Sequence, residues 1–313
     1  MEIFRDIAAL DKKYPFPVLT IGNYDGVHLG HQKILSAVLS KAKELKGTSM
    51  VMTFDPHPMK VLAPEKDIKL LITPDEKARL MEAMGIDVLL LLPFTKEFAG
   101  MLPDMFIDEV LVKAINVSEI IVGSNYTFGR HKQGTVDLLR RRGKRYGFSV
   151  QAVREVRVLG NIVSSSSIRS LLLKGAVNEV STFLGRAYMI DGTVIRGKGR
   201  GQSLLRIPTA NITTPVEISP KAGVYAVRAR FNGAIYEGVS NIGKNPTFGN
   251  TDVSYEVHLF DYSGDLLGQH LRIYFIDRLR GERTFPDAAS LEKQIRDDMV
   301  SAREILKINR TAV

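Results

Sequence analysis

The chain contains no cysteine. That excludes disulfides, thiolate metal sites and a cysteine nucleophile. Long apolar runs are missing as well. The longest, such as Val88–Pro93, fall far short of the roughly 20 residues a membrane helix needs. The first residues, Met1-Glu-Ile-Phe-Arg-Asp6, lack a basic segment followed by an apolar one. No secretory signal is therefore expected, and the cytoplasm is the default location. Internal repeats and low-complexity tracts are absent too. What is present is ordinary for a globular chain: 313 residues, 44% hydrophobic and 25% charged, enough for two domains. Acidic residues are outnumbered, 34 to 43, which leaves a net charge of +9 and a pI near 9.6. Such a balance suits an anionic partner, either nucleotide or nucleic acid. The densest basic cluster, Arg140–Arg145, reads first as the solvated end of a helix starting near Thr135, where cations complement the helix dipole.

The most telling stretch is Thr20-Ile-Gly-Asn-Tyr-Asp-Gly-Val-His-Leu-Gly-His-Gln32. Val18–Ile21 reads as a short buried strand. Gly22, Gly26 and Gly30 let the backbone turn tightly and approach a ligand. Apolar residues then recur at Ile34, Leu35, Val38 and Leu39, the spacing of a helix face. His28 and His31 thus lie at a strand-to-helix junction, where free N–H groups and the helix dipole favour phosphate. Two imidazoles there can donate to oxygens that gain charge during phosphoryl or nucleotidyl transfer. A metal pair and two solvated loop histidines are the alternatives.

The first half alternates strands and helices. Strands are expected at Val18–Ile21, Ser49–Phe54, Val88–Leu92, Glu119–Val122 and Ser149–Val156. Helices are expected at about His31–Leu45, from Thr73 towards Met84, around Pro103–Ala114 and at Thr135–Arg142. This rhythm implies a parallel sheet covered on both faces, with ligands outside the carboxyl ends of its strands. His28 and His31, Thr53–Pro58 and Gly123–Gly129 should therefore line one crevice. Ser164–Gly185 reads as two helices. From about Tyr188 the rhythm changes to strands at Gly192–Arg196, Gly223–Phe231, Ala234–Gly243, Val253–Phe260 and His270–Leu279. Asn232-Gly233 is a hairpin turn signal. The second half is thus expected to be a small antiparallel barrel or sandwich closed by a helix, Ser290–Ile308, with the domains spanning 1–186 and 187–313.

Other segments carry chemistry. Four serines precede Ile168-Arg169 at a helix start; they can cap it and hold phosphate, and Arg169 adds a fork of donors. Phe54, Phe106 and Phe128 can stack on a flat ring or fill the core. Gly192-Thr-Val-Ile-Arg-Gly-Lys198 nearly matches a phosphate loop, but Gly199 stands where Ser or Thr is required and no helix follows, so that reading is rejected. Gly197–Gly201 still reads as a mobile basic flap. Thr209 and Asn211, in Pro208-Thr-Ala-Asn211, offer hard oxygens of the kind Mg²⁺ accepts beside nucleotide phosphates. Glu256 is a carboxylate in an apolar strand, either outward-facing by alternation or a base for a substrate hydroxyl.

In order along the chain, these motifs resemble the bacterial bifunctional riboflavin kinase/FAD synthetase family over nearly the whole length. Gly22–His31 is similar to the nucleotidyltransferase signature of the family, and Thr53–Pro58, Val122–Gly129 and Ser164–Arg169 match three further segments. Pro208–Asn211, Gly238–Phe248, Glu256 and Leu279-Arg280 are similar to the riboflavin kinase module. The resemblance implies a Rossmann-like nucleotidyltransferase domain followed by a riboflavin-kinase-like barrel. It implies that His28 and His31 bind the ATP phosphates, and that Gly22, Asp25, Gly30, Ser164 and Arg169 form the nucleotide site. It places Asn125, Phe128 and Phe54 near the flavin. In the kinase module it gives Thr209 and Asn211 to Mg²⁺ and ATP, makes Glu256 the base and has Arg280 assist the flavin and phosphate sites. The implied reactions convert riboflavin and ATP to FMN and ADP, then FMN and ATP to FAD and pyrophosphate. Small molecules are the expected partners, with no membrane and no nucleic acid.

Departures are also visible. Arg206-Ile207 stands where the family usually has Gly-Phe or a close variant, and the Gly201–Pro208 loop is one residue longer. Asn125 stands where aspartate is common and Ser166 where threonine is. One alternative is therefore an FMN adenylyltransferase whose second half only binds flavin or packs. Remoter alternatives are an RNA-binding or regulatory protein on the same fold and transfer to another nucleotide acceptor.

Overall fold

Buried apolar runs of four to five residues set the first half. Val18–Ile21 and Val88–Leu92 are buried at every position, as strands covered on both faces must be. The structure, a computed structural model, describes residues 1–10, 13–196, 208–247 and 250–309. Two compact units divide it, Met1–Val163 and Ser164–Val313.

In the first unit, strands β1 (Glu2–Phe4), β2 (Val18–Ile21), β3 (Ser49–Phe54), β4 (Val88–Leu92), β5 (Glu119–Gly123) and β8 (Ser149–Val153) form a parallel sheet in the order β1-β4-β3-β2-β5-β8. Strand order reverses between β2 and β5, the position where such sheets open a crevice at their carboxyl ends. Helices α1 (Leu29–Leu45), α2 (Pro58–Leu62), α3 (Pro74–Ala83), α4 (Lys96–Gly100), α5 (Pro103–Met105) and α6 (Val136–Tyr146) connect the strands. A wider π-helical stretch, Phe106–Ala114, prolongs α5. Two small hairpins, β6 (Thr127–Phe128) with β7 (Gly134–Thr135) and β9 (Arg157–Val158) with β10 (Asn161–Ile162), decorate the unit. Leu19, Met50, Leu90, Ile107 and Ile120 lie in its core.

Cap chemistry sets the helix ends. Thr73 accepts from the Glu76 N–H at 3.2 Å, with Pro74 at the first turn. Helix α1 starts at Leu29, two residues before the expected His31, because the His28 imidazole itself is the cap. Helix α6 runs past Arg142 to Tyr146. Gly143 sits inside it against the Phe148 backbone, where a side chain would not fit. Strand β8 ends at Val153 rather than Val156. The edge strand β1 was not expected, since three residues carry no readable period.

The second unit opens with α7 (Ser165–Lys174) and α8 (Val177–Leu184). A closed antiparallel barrel follows, made of β11 (Tyr188–Ile195), β12 (Ala210–Thr213), β13 (Gly223–Phe231), β14 (Ala234–Thr247), β15 (Asn250–Leu259) and β16 (His270–Arg280), in the order β11-β12-β15-β14-β13-β16. Asn232 and Gly233 both have positive φ, 47° and 79°, as a tight two-residue hairpin turn demands. Tyr188, Tyr225 and Phe275 fill the interior. Helix α9 (Ala288–Ile308) packs Ala302 and Leu306 on the outside. Helix α8 buries Val177, Val180, Phe183 and Leu184, and it packs on β11 and β16. The contact boundary thus precedes the change of sequence rhythm. Gly197–Gly201, Arg206-Ile207 and Phe248 lie outside the described residues.

Candidate active sites

The loop from Gly22 to His28 leaves β2 at the reversal point of the sheet. Tyr24 and Val27 adopt left-handed backbone, with φ of 51° and 40°, beside Gly26 at 85°. His28 is buried, and its Nδ1 accepts from the His31 N–H at 3.4 Å. With Nδ1 accepting, the ring proton sits on Nε2. His31 stacks on it, with centroids 3.6 Å apart and planes 17° from parallel, and Tyr24 tilts against His31 at 4.9 Å. The His31 Nδ1 is buried with no hydrogen-bond partner among the described residues. Burial holds the His31 imidazolium well below its ordinary range, and positive charge on Lys77, or on His28 whenever that ring takes up a second proton, pushes the same way. Close approach explains two glycines. A Cβ at Gly30 would meet the His28 ring at 3.1 Å, and one at Gly22 would meet the Tyr24 ring at 3.1 Å.

Two groups that brace this loop come from the α3 region. Asp25 is buried and accepts from the Leu71 N–H at 2.9 Å. Lys77, 7% exposed, donates to the Asn23 carbonyl at 2.8 Å and to Thr53 Oγ1 at 3.2 Å. Burial pushes its pKa down to about 8, against the pull of Asp25 and Asp55. Sequence reasoning passed over Lys77 and Tyr24. A lysine in a charged first turn, Asp75-Glu76-Lys77, reads as solvated, and only the tertiary fold buries it.

The expected flavin neighbours fare differently from one another. Phe54 is half-buried and contacts Phe94 and Phe98 at 5.3 and 5.5 Å. Phe98 leads on to Phe106, and Phe106 to Phe128, which is buried in the core and stacked with Tyr126. Asn125 is exposed on the loop after β5. A Cβ at Gly123 would meet the Asn125 amide oxygen at 3.2 Å and Ile34 of α1 at 3.9 Å, so this loop flanks the histidine helix.

In the second unit Ser164 caps α7, accepting from the Ser167 N–H at 3.1 Å, and Arg169 is half-buried one turn further on. On the barrel, Tyr255, Val257 and Leu259 point inward while Glu256 faces out, as alternation requires. Register sets Glu256 between Asn211 on β12 and Asn241 on β14, all three half-buried. Thr209 is exposed just before β12, next to Pro208, whose carbonyl lies 2.8 Å from His258 Nδ1. Cross-strand register thus brings Asn211, Glu256 and Asn241 side by side, with Thr209 just before β12, and that meeting is not written locally in the sequence. Arg280 is held by Asp298 of α9 through a buried bidentate pair at 2.7 to 3.0 Å, and its Nη1 donates to the Gly281 carbonyl. No group of three or more His, Asp or Glu side chains able to hold a metal occurs among the described residues.

Comparison with known proteins follows the same division. The FAD synthetase family model matches residues 12–167 and the riboflavin kinase model residues 184–306. The bifunctional riboflavin kinase/FMN adenylyltransferase of Haemophilus influenzae is 34% identical, covering 97% of this chain and 98% of its own. The chain belongs to the bifunctional riboflavin kinase/FMN adenylyltransferase family. Other members include those of Bacillus subtilis, 38% identical over 91% of both chains, and Escherichia coli, 33% identical over 94% of both. A crystal structure described as a macrolide-efflux protein from Streptococcus pneumoniae superposes with a TM-score of 0.87 at 29% identity, covering 96% of this chain and 98% of that one. Among the described residues no helix is long and apolar enough to cross a membrane.

Proposed function

We propose that this chain makes FAD in two steps. The second unit transfers the γ-phosphoryl group of ATP to riboflavin, and the first transfers AMP from a second ATP to the FMN produced. The observation that carries the reading is the stacked histidine pair at the cap of α1, in a chain whose barrel sets Glu256 between two asparagines. Family membership along both halves supports it.

In adenylyl transfer an FMN phosphate oxygen attacks the α-phosphorus of ATP, and the bond to pyrophosphate breaks. The nucleophile is already an anion, so the protein need only position it and stabilise charge. The His28 Nε2–H and the His31 ring are donors to the phosphate oxygens, beside the free N–H groups of α1. Gly22, Asp25 and Gly30 shape the loop, while Asn125, Phe54 and Phe128 are assigned to the flavin side. Ser164 and Arg169 are assigned to the nucleotide from the likeness of their segment to the family's. The domains of function are taken as 1–186 and 187–313.

In the kinase step Glu256 takes the proton of the terminal ribityl hydroxyl as that oxygen bonds to the γ-phosphorus and ADP leaves. Thr209 and Asn211 offer hard oxygens suited to Mg²⁺, which neutralises phosphate charge when bound. Arg280, fixed by Asp298, is assigned to the same neighbourhood. The cytoplasm is assigned as its location, because both proposed reactions consume ATP.

Purified protein with Mg-ATP and either riboflavin or FMN, followed by separation of the flavins, tests the whole reading. Glu256→Ala is expected to abolish FMN formation and leave FMN-to-FAD conversion intact. His31→Ala is expected to do the reverse, losing about 10²–10³ in adenylyl turnover with FMN formation unchanged. Absence of FMN formation by the wild-type chain, from oxidised or reduced riboflavin, would remove the kinase half of the proposal.

A further inference from the structure

The loop that carries His28 is held in a costly shape. Two non-glycine residues, Tyr24 and Val27, have left-handed backbone, which persists only where the surroundings over-determine it. The surroundings are specific. The Tyr24 hydroxyl lies 2.6 Å from Thr20 Oγ1, and Gln32 donates to the Val27 carbonyl at 2.9 Å. Between these anchors the Asn23 carbonyl accepts twice, from the Lys77 ammonium at 2.8 Å and from Thr53 Oγ1 at 3.1 Å. Lys77 also donates to Thr53 Oγ1, closing a three-membered clasp over the carboxyl ends of β2 and β3. The residue after Asn23 is Tyr24, whose ring rests on His31, which stacks on His28.

We propose that Lys77 is a positioning residue for adenylyl transfer, its buried ammonium fixing Asn23 and through Tyr24 the geometry of the histidine pair. The inference rests on the adenylyl-transfer reading of this site. A neutral hydrophobe of similar length would fill the space more cheaply, because a buried ammonium pays for its desolvation. Retaining the charge has two effects here. It supplies a charge-assisted hydrogen bond to the Asn23 carbonyl. It also keeps a positive charge close enough to His31 to disfavour its protonation, so that the ring stays neutral. The titratable groups facing Lys77 are Asp25 after β2, Asp55 after β3 and His31 on α1. On its own helix Glu76 is engaged by Arg79, in a bidentate pair.

The experiment uses the full chain, with Lys77→Met and Thr53→Val, and measures kcat and KM for FMN-to-FAD conversion from pH 6 to 10. Riboflavin phosphorylation by the same samples reports that they are folded. Wild-type kcat is expected to fall as pH rises through about 8, where Lys77 loses its proton. Lys77→Met is expected to lower kcat by about 10–100-fold, change KM for FMN by less than about threefold, and abolish that alkaline limb. Thr53→Val keeps the side-chain volume but removes one acceptor of the ammonium. It should move the limb to lower pH, because the charged form loses a hydrogen bond. An unchanged kcat in Lys77→Met, or a lowered one with the wild-type alkaline limb intact, overturns the proposal. If Lys77→Met fails to fold, Thr53→Val decides: a displaced limb supports the proposal and an undisplaced one overturns it. His31→Ala separates the levels. Full adenylyl activity in that variant sinks the site assignment itself, whereas its loss beside an unaffected Lys77→Met sinks only the role of Lys77.

Discussion

His31 and Lys77 are both kept away from their ordinary protonation by burial, and this has measurable consequences for stability. The folded-state pKa of His31 lies below 6.5. As pH falls below the ordinary value, the unfolded chain takes up a proton that the folded chain refuses. Stability is therefore present above about 6.5 and is lost on acidification, with a slope of at most about 1.4 kcal/mol per pH unit from this group. Urea denaturation between pH 5 and 7 should show that slope reduced in His31→Asn. A slope identical to wild type would mean that His31 is not buried neutral. Lys77 follows the same sign at the other end. Its folded pKa, about 8, lies below the ordinary 10.5, so it adds stability as pH rises between those values, in the range where catalysis is expected to decline. The histidine pair was legible in the sequence because two imidazoles among glycines have few structural explanations. Lys77 was not, since nothing local distinguishes a lysine that reaches inward from one that reaches out.

At the level of elements, the start of α1 does two jobs, closing the helix and presenting the imidazoles. Gly30 lies in its first turn, where alanine would ordinarily strengthen a helix by about 1 kcal/mol. Here the added Cβ would stand 3.1 Å from the His28 ring and 3.5 Å from the Val163 carbonyl, and the ring must shift. Gly30→Ala is expected to leave the melting temperature within about 5 °C of wild type while lowering adenylyl turnover about tenfold. Phosphorylation of riboflavin should be unaffected. Wild-type FAD formation by this variant would show that the ring has freedom the packing does not suggest. Elements with their own signals were readable: Thr73-Pro74 announced α3, and Asn232-Gly233 announced the β13–β14 hairpin. The extension of α6 through Gly143 was hidden. A helical glycine reads as a stop unless one knows that the Phe148 carbonyl occupies the place of its side chain.

For the whole molecule, the position of the division matters. Helix α8 buries Val177, Val180, Phe183 and Leu184, and the Lys221 N–H donates to the Leu172 carbonyl at 2.9 Å, so the α7–α8 segment is tied to the barrel. Four such side chains represent about 6 kcal/mol or more of apolar burial, comparable with the whole stability of a small domain. A fragment of residues 164–313 should therefore melt cooperatively. One of residues 187–313 should melt at least about 10 °C lower or without a cooperative transition. Equal melting of the two fragments would put the structural division at 186/187. Rhythm in the sequence marks where strands replace helices. It does not mark which core a connecting helix joins.

The sequence by itself determined the two architectures, the order of their elements and the chemical types available at each site. Period, caps and turn residues act through neighbours a few positions apart. The tertiary structure alone decided which of those groups meet. Cross-strand register set Glu256 between Asn211 and Asn241, sheet order put the histidine loop at the reversal point, and burial turned Lys77 from a surface charge into a clasp. Such encounters depend on packing between segments dozens of residues apart, and a protonation state follows from the desolvation that packing imposes.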